Sequence, residues 1–101
     1  MSKLAAKVNS VSLTVQFIKH KDGVIAYAPA LDLSTVGKTL KKAQLMIHEA
    51  VDVFLEELIE RGTLAEVLSG LGWICRRSSW TPPRLIGERA ISLRIPAEAY
   101  A

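Results

Sequence analysis

At Thr39 the spacing of apolar residues changes from two to between three and four, and this switch limits the fold more than any other feature of the chain. Ahead of it, Val11, Leu13, Val15 and Phe17 alternate with Ser12, Thr14 and Gln16, which predicts a strand with one face buried and one polar. Behind it, Leu40, Ala43, Ile47, Ala50, Val51, Phe54 and Leu58 fall on one stripe of a helix that runs to Arg61. Thr39 is suited to cap the free amides of the first turn, and Gly62 to close the last turn in a left-handed conformation. Burying the large members of the stripe is worth on the order of 10 kcal/mol, at ~1.5–3 kcal/mol each. Fixing the helix backbone at ~1–2 kcal/mol per residue costs more than that. The helix must therefore lean on a sheet, and the expected fold class is α+β.

Within the first part of the chain, Asp22-Gly23 predicts a reverse turn into a second strand, Val24–Ala28. Pro29 has no amide proton to give a ladder and ends that strand. Leu31, Leu33 and Thr35 then resume the alternation as a third strand, completing a three-stranded antiparallel meander. After the long helix, "TLAEVLSGLGW" reads as a short helix from Thr63 to about Leu68, broken by Gly70 and Gly72. Trp73–Arg77 reads as a brief strand and "SSWTPPR" as a loop. In "AISLRIP", Ile91, Leu93 and Ile95 alternate inward against Ser92 and Arg94, predicting a last strand. Placed parallel to the first strand by a right-handed crossover, it would give the order 3-2-1-4.

One domain is expected from 101 residues, half of them apolar and about a quarter charged. The start, "MSKLAAKVNSV", lacks the apolar run of a signal peptide, and no segment reaches the ~18 apolar residues of a membrane span. A cytoplasmic location is expected. The single cysteine, Cys75, fits a reducing compartment and reads as a small buried or half-buried apolar residue.

The acids are not placed for metal-dependent hydrolysis, which needs carboxylates converging on a shared ion from rigid strands. Asp22 belongs to a turn and Asp32 to the entry of the third strand, while Glu49, Asp52, Glu56 and Glu60 follow the polar helix face. His20 and His48 have no ligand at metal-binding spacing, and His48 reads as a boundary residue with a packed ring. "GKT" at Gly37–Thr39 lacks the earlier glycine of a phosphate-binding loop, since Asp32 stands there and Leu33 and Val36 fill the loop. No catalytic residue, cofactor or metal is expected. The net charge of +3 includes Arg76, Arg77, Arg84 and Arg89, which lie near Trp73 and Trp80 and are candidates for nucleic-acid contact. Trp73 reads better as a lid on the core. Trp80, beside Pro82-Pro83, reads as a contact for self-association together with the last strand, Ile91, Leu93 and Ile95.

Phe17, Asp22-Gly23, Ala26, Pro29, Leu31, the run Thr35–Leu40, Ala43 and the helix "HEAVDVFLEELIERG" occur here in an order that resembles the HicB-type antitoxins, over about residues 11–73. The resemblance implies a partial ribonuclease H-like fold without the nuclease carboxylates. It also implies a partner, a small basic HicA-type toxin that cleaves mRNA and whose active surface the antitoxin covers. Many members repress their own operon through a C-terminal helix-turn-helix or ribbon-helix-helix unit. Here "ISLRIP" resembles the strand that opens the latter, but the two helices do not follow it, so operator binding by this chain alone is not expected. Lys42 also stands where relatives often carry Glu. The expected partner-binding residues are Leu31, Leu33 and Thr35 on the third strand and Glu49, Asp52, Glu56 and Glu60 on the helix. The competing reading is a homo-oligomeric structural or regulatory module without a toxin, binding nucleic acid through its arginines. A ribonuclease H-like enzyme is the least favoured reading.

Overall fold

A computed structural model describes residues 10–97. Strands β1 (Gln16–His20), β2 (Gly23–Ala28) and β3 (Leu33–Gly37) form an antiparallel sheet in the order β1-β2-β3, with a 3-10 turn, Pro29–Leu31, between β2 and β3. Helix α1 (Leu40–Arg61) covers one face of this sheet. Helix α2 (Leu64–Gly70) follows, and β4 (Ile74–Arg76) pairs with β5 (Ser79–Thr81) in a separate hairpin. The α+β class and the meander are as the periodicity predicts.

The seam between sheet and helix is built from small residues. Ala26 and Ala28 on β2 and Ala43 on α1 are fully buried, and Ile47 joins them. A Cβ on Gly37 would stand 2.5 Å from the Ala43 amide nitrogen, so the absence of a side chain there lets the first turn of α1 close onto β3. Thr39 caps that turn, its Oγ1 accepting from the Lys42 amide at 3.1 Å. At the other end Gly62, with φ 71°, and the Thr63 amide bonded to the Leu58 carbonyl at 2.9 Å form a left-handed C-cap. Of the predicted stripe, Ala43, Ile47 and Leu58 are buried, whereas Leu40 is half exposed.

A second cluster joins Ala30 and Leu31 to Leu68 and Trp73. The Trp73 indole N–H donates to the Ala30 carbonyl at 2.8 Å, a buried bond that ties the β2–β3 connection to the chain beyond α2. Trp73 is a lid, as the sequence suggests.

Several expectations are corrected. Pairing of His20 with Gly23 makes Lys21-Asp22 the β1–β2 loop, and Gly23, with φ 149°, begins β2 instead of sitting in the turn. The first strand enters the ladder only at Gln16, opposite Tyr27, one residue short of the end of β2 at Ala28, and Pro29, which ends β2, would face Thr14; Val11–Val15 continue beyond the ladder without a partner strand among the described residues. "SSWTPPR" is not all loop, since Ser79–Thr81 pairs with Ile74–Arg76. The Arg77-Ser78 connection has φ 54° and 67°, the left-handed pair of a tight hairpin turn, reached here without the usual Asn-Gly. Cys75 is exposed on β4 instead of buried. Ile91–Ile95 joins no ladder, so among the described residues the order 3-2-1-4 is not formed and the sheet stops at β1. The radius of gyration is 17.3 Å and the longest extent 60 Å, against about 12–13 Å of radius for a compact chain of this length. Residues 82–97, beyond β5, form an arm instead of a sheet strand.

Candidate partner-binding surface

Helix α1 carries more apolar residues than its sheet contact uses. At about 100° per residue, Ala43, Ile47, Phe54 and Leu58 point to the sheet and Val51, Leu55 and Ile59 to its flank. Glu49, Asp52, Glu56 and Glu60 follow on the outer side, all exposed. On the flank lies an apolar groove of about 490 Å³, lined from α1 by His48, Asp52, Leu55 and Ile59, and across from it by Leu13, Val15, Leu64 and Trp80 among others. The groove exists because Val11–Val15 run past the end of β2: their inward side chains form one wall, and nothing among the described residues continues the sheet over them. Of the acidic stripe, Asp52 lines the groove, and Glu49, Glu56 and Glu60 lie farther round the helix on the adjoining outer side.

The predicted residues are distributed unevenly over this surface. Leu31 is 3% exposed in the turn before β3, and Leu33 and Thr35 face the helix. Their side chains therefore do not form the outer edge of β3 that the sequence suggests; that edge offers its backbone with Ser34 and Val36. The Thr35 Oγ1 is buried with no hydrogen-bond partner among the described residues. Trp80 is half-buried, packs against Trp73's cluster and lines the groove. His48 stands at the edge of the groove, but its ring is open instead of packed: the side chain is 82% exposed, with Nδ1 3.4 Å from an Asp52 carboxylate oxygen.

The arginines are divided between two elements. Arg76 and Arg77 stand at the tip of the β4–β5 hairpin, while Arg84 and Arg89 lie on the arm. Ile91, Leu93 and Ile95 are 75, 77 and 61% exposed instead of turned inward. Among the described residues no three His, Cys, Asp or Glu side chains are grouped to hold a metal ion, and no helix is long and apolar enough to cross a membrane.

No protein family, curated protein or solved structure matches the chain.

Two features of the surface escaped the sequence reading. Leu55 and Ile59, four apart on α1, signal a second apolar face next to the main stripe. On the sheet face turned away from α1, the register aligns Ile18, Ile25 and Val36 across all three strands. Ile18 and Val36 are each nearly half exposed there. Their alternation was visible, but the register that joins them was not.

Proposed function

We propose that this chain is a non-catalytic, antitoxin-like binding protein of the cytoplasm that neutralises a small basic toxin of the HicA type by covering its active surface. The observation that supports the reading is an apolar groove that Asp52 lines, next to the exposed acidic face of α1 formed by Glu49, Asp52, Glu56 and Glu60. An apolar centre with a charged rim is the anatomy of a protein interface. The negative potential along α1 opposes that of an RNA-binding protein, which speeds encounter and orients docking. The order of motifs resembling HicB-type antitoxins supports the same partner.

The test is coexpression with the product of any neighbouring small gene that encodes a basic protein. Relief of growth arrest and copurification of the pair are expected. Glu49→Lys, Glu56→Lys and Glu60→Lys together should slow association at low salt by at least tenfold and leave the circular dichroism spectrum unchanged, since all three side chains are exposed. Persistent toxicity with no complex would refute the reading. The homo-oligomeric alternative draws on a different observation, the apolar arm beyond β5.

A further inference from the structure

The chain presents two apolar surfaces that do not meet among the described residues. One is the groove beside α1, whose missing wall is where a fourth strand would lie against Val11–Val15. The other is the arm after Thr81, where Ile86, Ile91, Leu93 and Ile95 are each more than 60% exposed. Alternation puts Ile91, Leu93 and Ile95 on one side of an extended segment, which is the form a groove between a strand and a helix accepts. The charges also match. From Pro82 to Ala97 the arm carries Arg84, Arg89 and Arg94 against one acid, Glu88, while α1 from Glu49 to Glu60 carries no Lys or Arg and sets Asp52 on the groove, with Glu49, Glu56 and Glu60 farther round the same outer side. Pairing of two arms with each other would instead bring like charges together.

The root of the arm decides between the same chain and another. Pro82-Pro83 stiffens its departure from β5. Pro83, Arg84 and Leu85 then share a small cavity with Thr14, and the Gln16 side-chain amide donates to the Glu88 carboxylate at 3.2 Å. Thr14 and Gln16 lie on the opposite face of the first strand from Leu13 and Val15, which line the groove. The arm is thus held on the wrong face to enter its own groove.

We propose that the arm of one copy of this chain lays Ile91, Leu93 and Ile95 into the groove of a second copy, beside Val11–Val15, and that the reciprocal contact closes a two-fold dimer. The fourth strand expected in the order 3-2-1-4 is then supplied in trans. The arm would take the same groove that the function proposed above offers to a toxin, so the two occupants compete for it; the test below uses the chain alone, and its failure is distinguishable from a failure to bind a toxin.

The test uses the full-length purified chain alone. Sedimentation should show a dimer, and Leu93→Asp or Ile59→Glu should each raise its dissociation constant at least tenfold; both side chains are exposed in the single chain, so the circular dichroism spectrum should not change. With Cys75→Ser as background, mixing a Leu93→Cys chain with an Ile59→Cys chain should give a disulfide-linked heterodimer under mild oxidation. Predominant linkage of two Leu93→Cys chains would show arm-to-arm pairing and overturn the proposal. A double variant that links within one chain would show closure in cis and also overturn it. A monomer in which a photo-crosslinker at Ile59 captures residues 1–9 would show the groove filled by the chain's own N-terminal segment, with the same consequence.

Discussion

Gly37 shows how a single missing side chain can set the distance between two elements. Its Cβ position lies 2.8 Å from the Ala43 Cα as well as against the Ala43 amide, and backbone cannot move aside as a flexible side chain would. Gly37→Ala should therefore destabilise the fold by about 1–3 kcal/mol, read as a lower urea midpoint at unchanged slope. Tyr27 offers a separate test in solution. Its hydroxyl donates to Asp32 Oδ1 at 3.0 Å. That bond, with smaller contributions from desolvation and the carboxylate's charge, raises the Tyr27 pKa above its ordinary value of 10.0. A raised folded-state value means that the stabilisation is whole below the unfolded pKa and is lost as pH rises through the folded one. An NMR titration of the Tyr27 ring should show a midpoint above 10.0, returning toward that value in Asp32→Asn.

At the scale of elements, the two helices were legible because their signals are local. The stripe, the Thr39 cap and Gly62 each act within about one turn, and α1 begins and ends where they indicate. The β4–β5 hairpin was not legible because Arg77-Ser78 adopts left-handed backbone without a residue type that favours it. That mismatch is measurable. Replacing Arg77→Asn and Ser78→Gly should stabilise the chain by about 0.5–1 kcal/mol through relief of the positive dihedrals, seen as a higher thermal midpoint. The first strand lies between these cases. Its alternation was plain, but its ladder is shortened by Pro29 on the neighbouring strand, and this creates one wall of the groove.

For the whole molecule, the extended shape follows from the arm, and exposure there makes it vulnerable. At concentrations low enough for the single chain, trypsin should cut first after Arg89 and Arg94, which lie outside any helix or ladder, and later after Lys41 and Lys42 in α1. Mass spectrometry of the early fragments identifies the order. Raising the protein concentration should slow cleavage at the two arm sites if the arms are seated in neighbouring copies. The acidic stripe was readable as a face of α1, because three- and four-residue spacing defines it. That it adjoins an apolar groove through Asp52 was not, because the opposite wall comes from Val11–Val15 and Trp80, far away in sequence.

Sequence alone determined the α+β class, the meander, the extent of the long helix and the lid formed by Trp73. The first three depend on the period of side chains and on caps and turns whose partners lie a few residues away, whereas the Trp73 lid closes on Ala30, 43 residues back, and was legible only from its residue type and apolar surroundings. Tertiary structure decided that Ile91–Ile95 stays out of the sheet, that Leu31 is sealed in the core and that a groove opens beside α1. Alternation specifies a strand-like segment but not its neighbour, and the neighbour is set by how far each adjoining element extends and which face the connecting chain can reach.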